Sequence, residues 1–152
     1  MSEADGMRLY LDDFAAGQRF ATAEHKVTAA EIIDFAKRFD PQYFHLDPEA
    51  AERSPFGGLV ASGLHTLSLS FRLFFDLRLW EEAILGSPGM RELAWLKPLR
   101  PGDRIRAVVE VLDVRRSATK PDRGIVTMRH DTFNQQNDAI LTAICLHMLR
   151  AR

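Results

Sequence analysis

The chain has 152 residues, enough for one domain with a substantial apolar core, and its formal net charge of −1 with interleaved signs argues against a nucleic-acid or membrane-surface partner. A single cysteine, Cys145 in the apolar run Ile140 to Leu149, excludes an internal disulfide and reads as a small hydrophobe in a reducing compartment. No run reaches the roughly 18 apolar residues of a transmembrane span and the acidic start, MSEADGMRLYLDD, has no apolar signal core, so a single cytoplasmic domain over 1–152 is expected.

In chain order, residues 1 to about 8 are polar and expected to be frayed, with apolar anchors from Leu9 to Phe14 and a turn at Gly17. Arg19 to Val27 reads as a short strand whose charges place it at an edge. Thr28 to Phe39 is a surface helix: Thr28 and Glu31 form a capping box, and Ile32, Ile33, Phe35, Ala36 and Phe39 share one face. It ends at Asp40, because Pro41 pushes the residue before it toward extended conformations. Asp47 followed by Pro48 is an N-cap with proline at the first helical position, opening a short helix to about Glu52. A loop containing Ser54, Pro55, Gly57 and Gly58 follows. From Ser62 to about Leu79 apolar residues go nearly all round a helix, which predicts a buried one roughly 25 Å long. The second half reads as strands at Leu93 to Leu96, Ile105 to Val114, Ile125 to Phe133 and Ile140 to Leu149, joined by turns as successive antiparallel hairpins. Four or five strands and one long buried helix predict an α+β fold, a curved antiparallel sheet wrapped around that helix.

The chemistry concentrates in FDPQYFHLD, Phe39 to Asp47, and in FGGLVASGLH, Phe56 to His65. Asp40 and His45 are separated by four residues in a turn held by Pro41, a spacing that can bring a carboxylate and an imidazole to one water. The apolar neighbours Phe39, Tyr43, Phe44 and Leu46 would partly dry such a pair and sharpen its electrostatics. Aspartate before proline is equally a common surface turn opener, and on spacing alone both readings stand.

The combination of Asp40-x4-His45, then Phe56-Gly57-Gly58-Leu59-Val60-Ala61-Ser62-Gly63, then Trp95-Leu96-Lys97-Pro98-Leu99-Arg100-Pro101-Gly102-Asp103 resembles the MaoC-like hydratase/dehydratase family of the hotdog fold, over almost the whole chain. The resemblance implies a sheet wrapped around a central helix, a homodimer or higher homo-oligomer joined through its sheets, no cofactor, and an acyl-CoA or acyl-carrier-protein thioester substrate. It implies addition of water to a trans-2-enoyl thioester to give the (R)-3-hydroxyacyl thioester, or the reverse, with Asp40 and His45 acting on the water and Ser62 helping to bind. Many members carry Asn followed by Pro inside the first motif, whereas here Pro41-Gln42-Tyr43-Phe44 lies between the pair. Backbone N–H groups near Ser62 and Gly63, at a helix start, could stabilise the enolate of the thioester. Gly57, Gly58 and Gly63 would let the thioester approach, with Phe56 and Leu59 near the pocket mouth and Tyr43 or Phe44 lining it.

Two other function classes fit the same fold: a thioesterase, which would not need the Asp-x4-His pair, and a non-catalytic acyl-thioester binder or dehydratase subunit. His65 reads as a buried core or interface histidine, and His25, His130 and His147 lie in strand-like runs without a partner at metal spacing. No metal is expected at Asp40, His45 and Asp47, since no second histidine stands at helical spacing. Arg115, Arg116, Lys120 and Arg123 form a basic hairpin, read as solvated in preference to a contact for coenzyme A phosphates.

Overall fold

The computed structural model describes residues 6–152. Its elements are β1 (Arg19–Ala21), β2 (His25–Lys26), α1 (Ala29–Phe39), α2 (Tyr43–Leu46), α3 (Pro48–Glu52), α4 (Gly63–Phe75), β3 (Ile84–Trp95), β4 (Arg104–Arg116), β5 (Arg123–Phe133) and β6 (Ala139–Arg150). Among the described residues the sheet has six strands, in the order β1-β4-β5-β6-β3 with β2 also on β4, and the strand pairs are antiparallel. With α4 packed on this sheet the fold is the α+β hotdog expected of the sequence.

Local signals account for the first half. The Thr28 hydroxyl accepts from Glu31 N–H while the Glu31 carboxylate accepts from Thr28 N–H, so both ends of the capping box are made. Asp40 caps the other end of α1 with an extended φ of −153°, as its position before Pro41 requires. Asp47 Oδ1 accepts from Glu49 and Ala50 N–H at the start of α3, with Pro48 inside the first turn.

Three expectations need correction. The stretch Arg19 to Val27 is two short strands rather than one, both laid against β4. Helix α4 stops at Phe75, not Leu79, and its 13 residues span about 20 Å. Leu77 and Arg78 close tight turns back to Phe74 and Phe75 carbonyls, and the apolar run continues because Leu79 and Trp80 drop into the core from a turn. Strand β3 begins nine residues before the expected strand, an irregular edge with register shifts around Gly86 and before Ala94.

The N-terminal fraying expected of residues 1–8 falls largely on residues 1–5, outside those described; from Met7 on the chain is pinned, with Met7 and Leu9 N–H donating to Arg78 and Leu79 carbonyls. Two apolar clusters fill the space between α4 and the sheet. One gathers Phe14, Phe74, Trp80, Val109, Met128 and Leu149. The other, beneath the start of α4, gathers Val27, Ile32, Leu59, Leu73, Leu99, Ile105 and Leu141. No described helix is long and apolar enough to cross a membrane.

Candidate active site

Asp40 and His45 meet because α1 ends and a single helical turn, α2, begins within five residues. Gln42 N–H folds back onto the Asp40 carbonyl and His45 N–H onto the Gln42 carbonyl, turning the chain so that His45 Nε2 lies 3.3 Å from Asp40 Oδ2. The loop before α4 is fastened alongside: Val60 N–H donates to the Phe44 carbonyl and Ala61 N–H to the Leu99 carbonyl. That registration puts the Val60 carbonyl 2.6 Å from His45 Nδ1, which therefore carries the proton and donates it. A neutral His45 thus turns an unprotonated Nε2 toward Asp40. Two acceptors face one another, an arrangement satisfied by a water donating one O–H to each or by a proton between them.

Asp40 is held by a second set of bonds. Gln42 Nε2 donates to Oδ1 at 2.6 Å, and Ser62 adds a side-chain hydrogen bond. Burial raises the Asp40 carboxyl, but the bonds from Ser62 and Gln42 and the neighbouring His45 outweigh it, and the pKa lies below the ordinary carboxylate value. The side chains of Asp40 and His45 are only 17% and 6% exposed, so proton exchange with bulk water is restricted while a cavity remains on one side.

That cavity, about 550 Å³, is bounded by Asp40, Gln42, Phe44, His45, Phe56, Val60, Gly63, Leu64 and the segment Trp95 to Leu99. Of the other residues singled out in the sequence, Phe44, Phe56 and Gly63 line it. Tyr43 is exposed outside it, Leu59 is buried in the core, and Gly58 packs near the Arg100 guanidinium. Ser62 is fully buried; besides bonding Asp40, its hydroxyl accepts from Leu64 N–H as the N-cap of α4. A methyl group on Gly63 would lie 2.7 Å from the Trp95 ring, whose Nε1–H donates to the Gly63 carbonyl, so in the chain alone the neighbour that requires glycine is Trp95.

Trp95, Leu96 and Lys97 belong to the motif before Pro98, yet their place at the cavity was not read from the sequence; the exposed large side chains of Trp95, Leu96 and Leu64 on its rim are the signal that strand periodicity hides. His65 stacks on Phe35 with ring centroids 4.6 Å apart and has no partner at Nδ1. Arg115, Arg116, Lys120 and Arg123 sit at the β4–β5 turn, at the opposite end of those strands from Phe133 and Arg104; Arg116 and Arg123 are paired with Asp12 and Asp122. The absence of a partner for His130 and His147 is corrected: the pairing of β5 with β6 sets their Nε2 atoms 3.1 Å apart.

The sequence model of the MaoC like domain matches residues 13–134. The chain is 38% identical over 126 residues to the uncharacterized protein YdeM of Bacillus subtilis (strain 168), covering 83% of this chain and 88% of that one. It is 31% identical over 103 residues to 3-hydroxyacyl-thioester dehydratase Z of Mycobacterium tuberculosis, covering 66% of this chain and 68% of the other. The crystal structure of the MaoC-like dehydratase from Rhodospirillum rubrum superposes with a TM-score of 0.86 at 42% identity, over 95% of this chain and 98% of that one. With the hotdog sheet and the Asp40–His45 pair at the start of its helix, these matches make the chain a member of the MaoC-like hydratase/dehydratase family.

Proposed function

We propose that the protein adds water across the double bond of a trans-2-enoyl thioester, or removes it from the (R)-3-hydroxyacyl thioester, on an acyl-CoA or acyl-carrier-protein substrate. The observation that carries this reading is the 3.3 Å approach of Asp40 Oδ2 to His45 Nε2, at the wall of an apolar cavity. A water shared by the two has both protons directed at acceptors and its oxygen lone pairs free for the acyl chain. As the oxygen bonds to C3, one water proton passes to the pair, the C2–C3 π electrons move toward the thioester carbonyl, and a proton returned to C2 completes the addition. The charge that develops on the thioester oxygen needs donors, and the first-turn N–H groups of α4 have no intrahelical acceptor; that of Leu64 is taken by Ser62, while Gly63 lines the cavity. In this reading Ser62 and Gln42 act on Asp40, and Phe44 and Phe56 contact the acyl chain. The whole chain, 1–152, serves as one hotdog unit of a homodimer, in a reducing cytoplasm that suits its single buried thiol.

Incubation with crotonyl-CoA tests the reading. Loss of the enoyl absorbance without free thiol is the result expected. Thiol release would instead indicate hydrolysis, and neither change, with longer and branched enoyl-CoA substrates also inert, would indicate a binding subunit.

A further inference from the structure

Strands β5 and β6 turn His130, Cys145 and His147 toward α4, where none takes part in the proposed reaction. All three are at most 2% exposed, and their ligand-capable atoms lie within 4.8 Å of one another. Phe71 stacks on His130 at 4.4 Å, Phe74 meets the same ring edge-on at 4.8 Å, and Trp80 lies 4.8 Å from His147. As core filling the cluster is poor. The two rings can share one N–H between their Nε2 atoms, and His130 Nδ1 is left buried without a partner.

We propose that His130, Cys145 and His147 form a zinc-binding site. Two imidazoles and a thiolate are the donor set that Zn²⁺ takes in tetrahedral sites. The 3.1 Å between the two Nε2 atoms is close to the separation that two imidazoles keep on one tetrahedral ion. At Zn–N of about 2.0 Å and Zn–S of about 2.3 Å the sulfur must move in by about 1.3 Å at most. Burial keeps both rings neutral, His130 down to about 3 and His147 to about 4, so their lone pairs are free of protons. Burial raises the Cys145 thiol, and the ion must displace its proton: one Sγ–H bond breaks, one Zn–S bond forms, and one proton is released per zinc. Ser87, exposed on the irregular part of β3, places its Oγ 3.3 Å from Cys145 Sγ while donating to the Leu146 carbonyl, and a water would complete the tetrahedron.

Full-length protein, freed of metal with a chelator and dialysed, should take up one zinc per chain by elemental analysis. Cobalt(II) in its place should give a near-ultraviolet thiolate-to-metal charge-transfer band, which can come only from Cys145, the sole cysteine. Cys145→Ser should abolish the band, and it and His147→Gln should each weaken zinc binding at least tenfold, whereas His45→Gln should leave it unchanged. A wild-type cobalt complex without the band overturns the proposal whether or not any variant folds. Zinc bound equally well by Cys145→Ser, or lost in His45→Gln, overturns it also.

Discussion

The 3.3 Å contact between Asp40 and His45 depends on neighbours that fix each ring and carboxylate atom, and the expected mutant effects follow from that division of labour. Asp40→Asn and His45→Gln keep size and most hydrogen bonding, so each should lower kcat by at least about a hundredfold with much smaller changes in KM. The double variant should be little worse than the worse single one, because in the proposed reaction the two act on one water. Ser62 and Gln42 should behave differently. In the proposed reaction Asp40 can take a proton only when ionised, so activity should fall as pH drops through its pKa, which these two donors hold down. Ser62→Ala or Gln42→Met should therefore move the acid limb of the kcat/KM profile to higher pH, and an unmoved limb would remove the positioning role. Asp47, which caps α3, supplies the contrast: Asp47→Asn should cost about 1 kcal/mol or less in a denaturant titration and leave turnover nearly intact. The sequence made Asp40, His45 and Asp47 legible because each is set by a proline or a cap within two or three residues. It could not reveal that Gln42, inside the motif, donates its amide to Asp40, since that bond depends on how the turn closes.

Elements differ in how far their sequence describes them. Helices α1 and α3 were readable because their caps are local. Strand β4 alternates buried and less buried positions until the register shift between Val111 and Asp113, where the expected pattern blurs. Strand β3 was hidden: an edge with bulges and exposed positions has no alternation to read, and only its last residues stand out. The His130–His147 contact was equally invisible, being a property of β5–β6 register. At the helix scale, Gly63→Ala should cost about 1–3 kcal/mol in a thermal or denaturant melt, because the added methyl meets the Trp95 ring at 2.7 Å and the indole must give up the Gly63 carbonyl or move. The α1–α4 contact carries a pH response through His65. Burial against Phe35 lowers its pKa below the ordinary 6.5, with Glu31 opposing and His25 adding to the shift. Below pH 6.5 the unfolded chain therefore binds a proton that the folded chain refuses, and stability falls with pH, by up to about 1.4 kcal/mol per pH unit from this group. His65→Phe should keep the stack and lose Tm more shallowly than the wild-type protein as pH is lowered from about 7 to about 5.

For the molecule as a whole, the surface left by one sheet and one helix argues for a second copy. The core face of β6 carries the fully buried Leu141, Ala143 and Leu149, but the opposite face carries Ile144, Leu146 and Met148, which are only half-buried. Beside it β3 is a free edge with Met90 exposed, and around the cavity Leu64, Trp95 and Leu96 are each about half exposed. Apolar side chains of this size along an edge strand and on the outer face of the strand beside it are of the kind that chains cover by association. A two-fold axis would cover both copies at once, burying the same patch on each. The protein should therefore sedimentate and scatter light as a dimer at micromolar concentration. Leu146→Lys, which places a charge on the half-buried outer face of β6 without touching Asp40 or His45, should shift it to monomer and weaken enoyl-thioester turnover if the cavity rim is completed by the partner. A monomer in the wild-type protein at those concentrations would remove the dimer; a stable Leu146→Lys dimer would move the interface away from this face.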